Sequence, residues 1–153
     1  MPARSPRLPP AIAAFGFAGL LPPAMLALGL FVLPAGAPQQ FAWVALVFYG
    51  ALIFSFLGGT WWAFAAARPR AGWIAMAVAP SLFALLLLLL VLAPATRAAA
   101  AALLAAAILA SPLADGALAS AGLTPAWWMR LRVPLSVGLA ICVGVGALRA
   151  PLA

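Results

Sequence analysis

The segment FAWVALVFYGALIFSFLGGTWWAFAAARPR, residues 41–70, predicts the architecture of the chain. It is apolar over residues 41–67 and then reaches Arg68 and Arg70. Because a transmembrane helix needs about 20 consecutive, mostly apolar residues, residues 41–67 are predicted to cross a membrane and to end at a charged surface. Two adjacent glycines and two adjacent tryptophans lie inside this run, and they could mark either a binding site or a place where helices pack.

Composition extends this prediction to the whole chain. Hydrophobic residues make up 69% of the 153 residues, charged residues make up 6%, and the mean hydropathy is +1.24, which is far from the balance of soluble proteins. Five apolar runs are long enough to span a membrane, at residues 11–33, 41–67, 72–93, 98–119 and 131–148. The connections are too short for a soluble domain, so we expect one all-α bundle of five transmembrane helices over residues 1–153.

The arginines predict the orientation of this bundle. With five spans, six arginines fall on one side of the membrane and two on the other: Arg4, Arg7, Arg68, Arg70, Arg130 and Arg132 against Arg97 and Arg149. Cytoplasmic loops carry the excess of positive charge, which puts the N-terminus inside and the C-terminus outside. Arginine without lysine, together with abundant alanine, is typical of a GC-rich bacterial genome, so we expect a multi-pass protein of the bacterial inner membrane.

The first run could instead be a signal peptide, because basic residues precede it and Ala35-Gly36-Ala37 resembles a small-residue cleavage site. However, the run is about 23 residues long, whereas the apolar part of a signal peptide has roughly 7–15. Pro38 also follows the cleavage position directly. We therefore favour an uncleaved first span; cleavage would leave four spans.

Few side chains in this sequence could carry chemistry. The chain has no His, and it lacks Glu and Lys, so Asp115 is its single acidic residue and Cys142 its single cysteine. Metal sites need clusters of His, Cys or carboxylate ligands, and acid–base catalysis needs a group that titrates near neutral pH. We therefore expect no enzyme, no cofactor and no metal site. Because the arginines are scattered between apolar runs, we expect no nucleic-acid partner either.

Two prolines predict irregular helices. Pro22 falls near the middle of the first run and Pro80 within the third, and each removes a helical hydrogen bond and is predicted to kink its helix. A kinked helix packed among its neighbours is the simpler interpretation. A broken helix of the transporter type is the alternative.

Small residues at a spacing of four predict close helix packing. In the second run this stripe comprises Ala51, Ser55, Gly59, Ala63 and Ala67, and in the fifth run it comprises Gly138, Cys142 and Gly146. We expect the two stripes to contact each other or the region of Gly16 and Gly19.

Gly58 lies about 100° around the helix from Gly59 and one turn before Trp62, so it could leave a gap for something other than a helix. The candidate packing residues are Ser55, Gly58, Gly59, Trp62, Gly138 and Gly146.

Asp115 is the first candidate for a specific role. An isolated Asp at the centre of a transmembrane helix costs about 2.5 to 3.5 kcal/mol on insertion scales, but Asp115 closes the fourth run on the side that carries Arg130 and Arg132. We expect an ion pair or a carboxylate at the membrane surface, and a proton-relay or substrate role is the alternative.

The pairs Trp61-Trp62 and Trp127-Trp128 are predicted to anchor helices at the membrane interface, in preference to stacking on a ligand.

With these motifs in order, the chain resembles the family known as domain of unknown function 3429, which is similar to transmembrane protein 69 of eukaryotes. Asp115 and four segments carry the resemblance: residues 15–22 (FGFAGLLP), 49–62 (YGALIFSFLGGTWW), 79–82 (APSL) and 125–132 (PAWWMRLR). Trp61 stands where the family usually has His, so a role for that His as a ligand or proton carrier does not transfer. The resemblance implies a small multi-pass membrane protein of bacterial inner or mitochondrial-type membranes, with no established activity.

The sequence therefore favours a non-enzymatic protein with a structural, assembly or accessory role. Its expected partners are the lipid bilayer and either another membrane protein or a second copy of the chain. The alternative is a small transporter or channel that uses the kink at Pro22, the Gly58/Gly59 segment and Asp115. A dry core would favour the accessory role, whereas transport would be favoured by a water-accessible cavity lined by Ser55, Thr60, Ser81 or Asp115.

Overall fold

A computed structural model describes residues 7–150, and Arg4 of the basic N-terminus lies outside them. These residues form six α-helices and a 3-10 turn: α1 (Pro10–Ala18), α2 (Leu21–Val32), α3 (Ala37–Ala65), α4 (Ala71–Val91), the turn Pro94–Thr96, α5 (Arg97–Ser120) and α6 (Trp128–Leu148). Because α1 and α2 together make one segment, five segments are long and apolar enough to cross a membrane. The all-helical fold and five helical segments of transmembrane length are thereby confirmed, with bounds that differ from the predicted ones by a few residues.

The first span is broken where the sequence predicted a kink. α1 ends at Ala18 and α2 begins at Leu21, and in the turn between them the Leu20 N–H donates to the Phe17 carbonyl (3.0 Å). Pro22 lies in the first turn of α2, where a missing N–H needs no partner. Pro80, in contrast, lies inside α4, which is a single helix in the structure.

α3 is the central helix of the bundle. It contacts α2, α4, α5 and α6. Two of its side chains bind carbonyls of other elements: Trp43 Nε1 donates to the Gly146 carbonyl in α6 (2.7 Å), and the Tyr49 hydroxyl donates to the Gly19 carbonyl between α1 and α2 (2.7 Å). The helix thus joins the first span to the last.

Successive spans run in opposite directions. Arg68, after α3, donates to the Ala121 carbonyl after α5 (3.4 Å), and at the opposite end of the bundle Arg149, after α6, donates to the Leu30 carbonyl of α2 (3.4 Å). One end of the bundle, which we call the arginine end, is where α1, α4 and α6 begin and where α3 and α5 finish. It carries Arg7, Arg68, Arg70 and Arg130.

The contact between α3 and α4 uses a different glycine from the one that the stripe predicted. A Cβ added to Gly58 would overlap the backbone carbonyl oxygen of Ala77 in α4, whereas a Cβ added to Gly59 would meet no atom within 4 Å. Gly59 and Ala63 are exposed. The predicted packing role of Gly59 is therefore wrong, and the predicted gap at Gly58 is filled by α4.

The glycines of α6 lie against other elements. A Cβ added to Gly138 would be 2.8 Å from Leu20 Cδ1, and one added to Gly146 would be 3.3 Å from Leu46 Cδ2 of α3. Both positions therefore allow a close approach between helices. Gly138 meets the break in the first span, and Gly146 meets α3.

Candidate functional site

Asp115 lies in α5, more than one turn before the helix ends at Ser120, and its side chain is 0% exposed. Its Oδ1 atom accepts hydrogen bonds from Trp61 Nε1 (2.9 Å) and Trp128 Nε1 (2.8 Å). Its Oδ2 atom forms an ion pair with Arg132 Nε (3.0 Å). The carboxylate is therefore inside the bundle, and the predicted alternative of a carboxylate at the membrane surface is wrong.

Arg132 lies in α6 and is 5% exposed. Besides its bond to Asp115, its Nη2 atom donates to Ser136 Oγ (3.1 Å) and Ser111 Oγ (3.3 Å). The two serine hydroxyls are also within hydrogen-bond distance of each other (3.1 Å), and Ser111 donates to the Ile108 carbonyl (2.7 Å). We call this group the Asp115 cluster; its members are Trp61, Ser111, Asp115, Trp128, Arg132 and Ser136.

The helix repeat positions the cluster. Ser111 and Asp115 are four residues apart in α5, and Arg132 and Ser136 are four residues apart in α6, so each pair lies on one face of its helix. α5 and α6 pack along these faces, and Trp61 reaches the carboxylate from α3. The cluster therefore fixes three helices to one another.

The cluster is neutral, and its buried polar atoms are satisfied. One carboxylate faces one guanidinium, and within residues 7–150 no buried side-chain nitrogen or oxygen lacks a hydrogen-bond partner. Charged groups inside a membrane are expensive unless they pair with one another. This arrangement holds both charges in place, and it leaves Asp115 without exposed surface through which a proton or a substrate could arrive.

Several members of the cluster have roles that the sequence did not predict. Trp61 was expected at the membrane interface, but it is 4% exposed and binds Asp115; its neighbour Trp62 is 49% exposed. Arg130, the other candidate cation, is exposed at the start of α6. Ser111 and Ser136 were not singled out. The signal that could have found them is their spacing of four from Asp115 and Arg132.

Two neighbouring cavities lie between α1, α3 and α6. The smaller has a volume of about 220 Å³ and extends toward Gly19, and the larger has a volume of about 500 Å³ and extends toward Thr60 and Trp128. We call the two cavities together the α1/α3 crevice. Residues that line both are Phe15, Gly16, Phe56, Leu57, Arg132 and Leu135.

Only part of the lining expected of a transport path is found at this crevice. Thr60 lines the larger cavity, but its hydroxyl donates to the Leu57 carbonyl (2.7 Å). The Ser55 and Ser81 hydroxyls bind each other between α3 and α4 (2.9 Å). Asp115 is enclosed. The crevice walls are mainly apolar, with Arg132 as their charged side chain.

A family model described as "Protein of unknown function (DUF3429)" matches residues 8–148. The chain therefore belongs to the DUF3429 family, as the order of its motifs predicts. No curated protein and no solved structure matches the chain, so the similarity to transmembrane protein 69 stays a prediction. Because the family description names no activity, a function has to be inferred from the residues themselves.

Proposed function

We propose that this DUF3429 protein is a non-catalytic multi-pass protein of the bacterial inner membrane with a structural, assembly or accessory role. The observation that supports this role is the closure of the Asp115 cluster. The single carboxylate of the chain accepts two indole hydrogen bonds and one guanidinium hydrogen bond. A group bound in this way stabilises a fixed arrangement of helices.

The residues that could serve catalysis or transport do not support either function. A general acid or base must come within hydrogen-bond reach of its substrate, and Asp115 is 0% exposed. The transporter alternative relied on Pro22, on the Gly58/Gly59 segment and on Asp115. The first span is broken beside Pro22, but the freed Gly19 carbonyl is bound by the Tyr49 hydroxyl. The space beside Gly58 holds the Ala77 carbonyl. This alternative is therefore not favoured.

An accessory protein acts through a stable partner, which is either another membrane protein or a second copy of the chain. The test is purification of the tagged chain from native membranes in a mild detergent, followed by mass spectrometry and size measurement. We expect one partner at a fixed ratio. A chain that elutes as a lone monomer would contradict the proposal.

A second measurement separates this role from transport. The purified chain is reconstituted into liposomes loaded with a pH-sensitive dye, and proton flux is compared between wild type, Asp115→Asn and empty liposomes. We expect no flux above that of empty liposomes in either case. A flux that wild type shows and Asp115→Asn loses would support the transporter instead.

A further inference from the structure

The α1/α3 crevice opens sideways to the surroundings of the bundle. α1 packs against α6, where a Cβ added to Gly16 would be 2.9 Å from Leu131 Cδ1, and the crevice separates α1 from α3. Phe15 of α1 and Phe56 of α3 line it and are 82% and 65% exposed. An apolar chain in the bilayer can therefore enter between the two helices without crossing a polar surface.

The crevice has the length of one lipid leaflet. Its lining extends along α6 from Trp128 to Leu139, which corresponds to about 16 Å at a rise of 1.5 Å per residue. Half of a hydrocarbon core of about 30 Å is about 15 Å. The inner limit of the crevice is the helix break at Gly19 and Leu20. The crevice therefore reaches about as deep into a bilayer as one leaflet at the arginine end.

Arg132 places a hydrogen-bond donor on the wall of this crevice. Its side chain lines both cavities, and it lies four residues into α6, about 6 Å from the helix start. Within the described residues its hydrogen bonds leave from Nε and Nη2, so Nη1 remains for an acceptor in the crevice. Phosphate oxygens are strong acceptors for guanidinium groups.

The charge at this end of the bundle selects the kind of lipid. Arg7, Arg68, Arg70 and Arg130 lie at the arginine end, and Asp115, the one carboxylate near them, is paired with Arg132. The described part of this end is therefore positively charged. Arginines next to a transmembrane segment attract anionic headgroups.

We propose that the α1/α3 crevice binds one acyl chain of an anionic phospholipid, whose phosphate or ester oxygens accept a hydrogen bond from Arg132 Nη1. The bound chain fills the space between α1 and α3. This site does not depend on the accessory role proposed above, because a lone monomer would bind the lipid equally well.

The test is native mass spectrometry of the delipidated chain, titrated separately with phosphatidylglycerol, phosphatidylcholine and palmitate. Leu135→Trp fills the crevice from α6. Leu113→Trp is the matched control, because it adds the same indole at a position of α5 that is 77% exposed and does not line the crevice. Arg132→Gln removes the guanidinium donor from the wall.

We expect wild type and Leu113→Trp to retain one phosphatidylglycerol, at least fivefold more tightly than phosphatidylcholine, and Leu135→Trp to bind it at least tenfold more weakly. We expect Arg132→Gln to bind both phospholipids more weakly than wild type, because the hydrogen bond from Nη1 is lost. Equal binding by Leu135→Trp and Leu113→Trp would overturn the site. If wild type retained both phospholipids equally, the proposed preference for anionic lipids would be wrong. If it bound palmitate more tightly than phosphatidylglycerol, the ligand would be a fatty acid and not a phospholipid. Leu135→Trp leaves the Asp115 cluster intact, so the test stands even when Arg132→Gln does not fold.

Discussion

At the scale of single residues, Asp115 and Arg132 illustrate how one buried ion pair stabilises a membrane bundle. The carboxylate has no exposed surface, yet each of its oxygens has a donor from α3 or α6. Breaking a buried pair by removing one partner is strongly destabilising, because the remaining charge is left uncompensated. Each of the two charges is therefore stable inside the bundle only while the other is present.

Asp115→Asn should lower the free energy of unfolding by about 3 kcal/mol, since it leaves the Arg132 charge buried without its partner. Arg132→Gln should cost a similar amount. The double variant should cost less than the sum by about 1 to 3 kcal/mol, because it leaves neither charge behind. The measurement is unfolding of the purified chain by denaturing detergent.

The control for this cycle is Leu113→Ala in the same helix, at a side chain that is 77% exposed. It should leave the free energy of unfolding close to that of wild type. Strictly additive effects of the Asp115 and Arg132 substitutions would show that the two side chains do not stabilise each other.

The two adjacent glycines of α3 make a matched pair of substitutions. Gly58→Ala should destabilise the bundle by about 1 to 3 kcal/mol, because its Cβ would overlap the Ala77 carbonyl and force α3 and α4 apart. Gly59→Ala should be neutral or stabilising by up to about 1 kcal/mol, because its Cβ meets no atom within 4 Å and Ala favours the helix. The measurement is the thermal unfolding temperature of the two variants and wild type in mild detergent. The reverse order of stability would show that Gly59 faces a helix.

At the scale of helices, the break in the first span depends on a hydrogen bond from α3. The Gly19 carbonyl would normally bind an N–H three or four residues later, but Pro22 and Pro23 occupy those positions and have none. The Tyr49 hydroxyl donates to this carbonyl instead (2.7 Å). A break at membrane depth is tolerated when neighbouring protein satisfies the freed backbone groups.

Tyr49→Phe should therefore loosen the break while keeping the ring that packs there. The unpaired Gly19 carbonyl should lower the free energy of unfolding by about 1 to 3 kcal/mol. Amide hydrogen exchange in residues 16–24 should be faster in the variant than in wild type, whereas exchange in α5 should change less. The same exchange rates in wild type and Tyr49→Phe would mean that the hydroxyl does not stabilise the break.

The sequence predicted helices better than it predicted the contacts between them. Apolar runs bounded by arginines or by Pro and Gly are local features, so the five spans could be predicted. Which of Gly58 and Gly59 faces α4 depends on the rotation of α3, and both are small enough to pack. Trp61 matched an interface anchor by its distance from Arg68, and only the approach of α5 shows that it meets Asp115.

At the scale of the whole molecule, the described arginines other than Arg132 divide into two groups, one at each end of the bundle. Arg7, Arg68, Arg70 and Arg130 lie at the arginine end. At the opposite end, Arg97 Nε donates to the Val91 carbonyl (3.2 Å) and Arg149 Nη2 donates to the Leu30 carbonyl (3.4 Å). These two arginines therefore bind backbone carbonyls near the ends of α4 and α2.

The excess of arginine predicts that the arginine end faces the cytoplasm, because loops rich in Arg remain on that side during insertion. In a Cys142→Ser background, Ala126→Cys places a thiol in the α5–α6 loop at the arginine end, and Ala35→Cys places one in the α2–α3 loop at the opposite end; both alanines are exposed. A membrane-impermeant maleimide should label Ala35→Cys in intact spheroplasts and Ala126→Cys only after the membrane is permeabilised. The opposite pattern would reverse the orientation. It would also place the crevice and its phospholipid in the outer leaflet, because both lie at the arginine end.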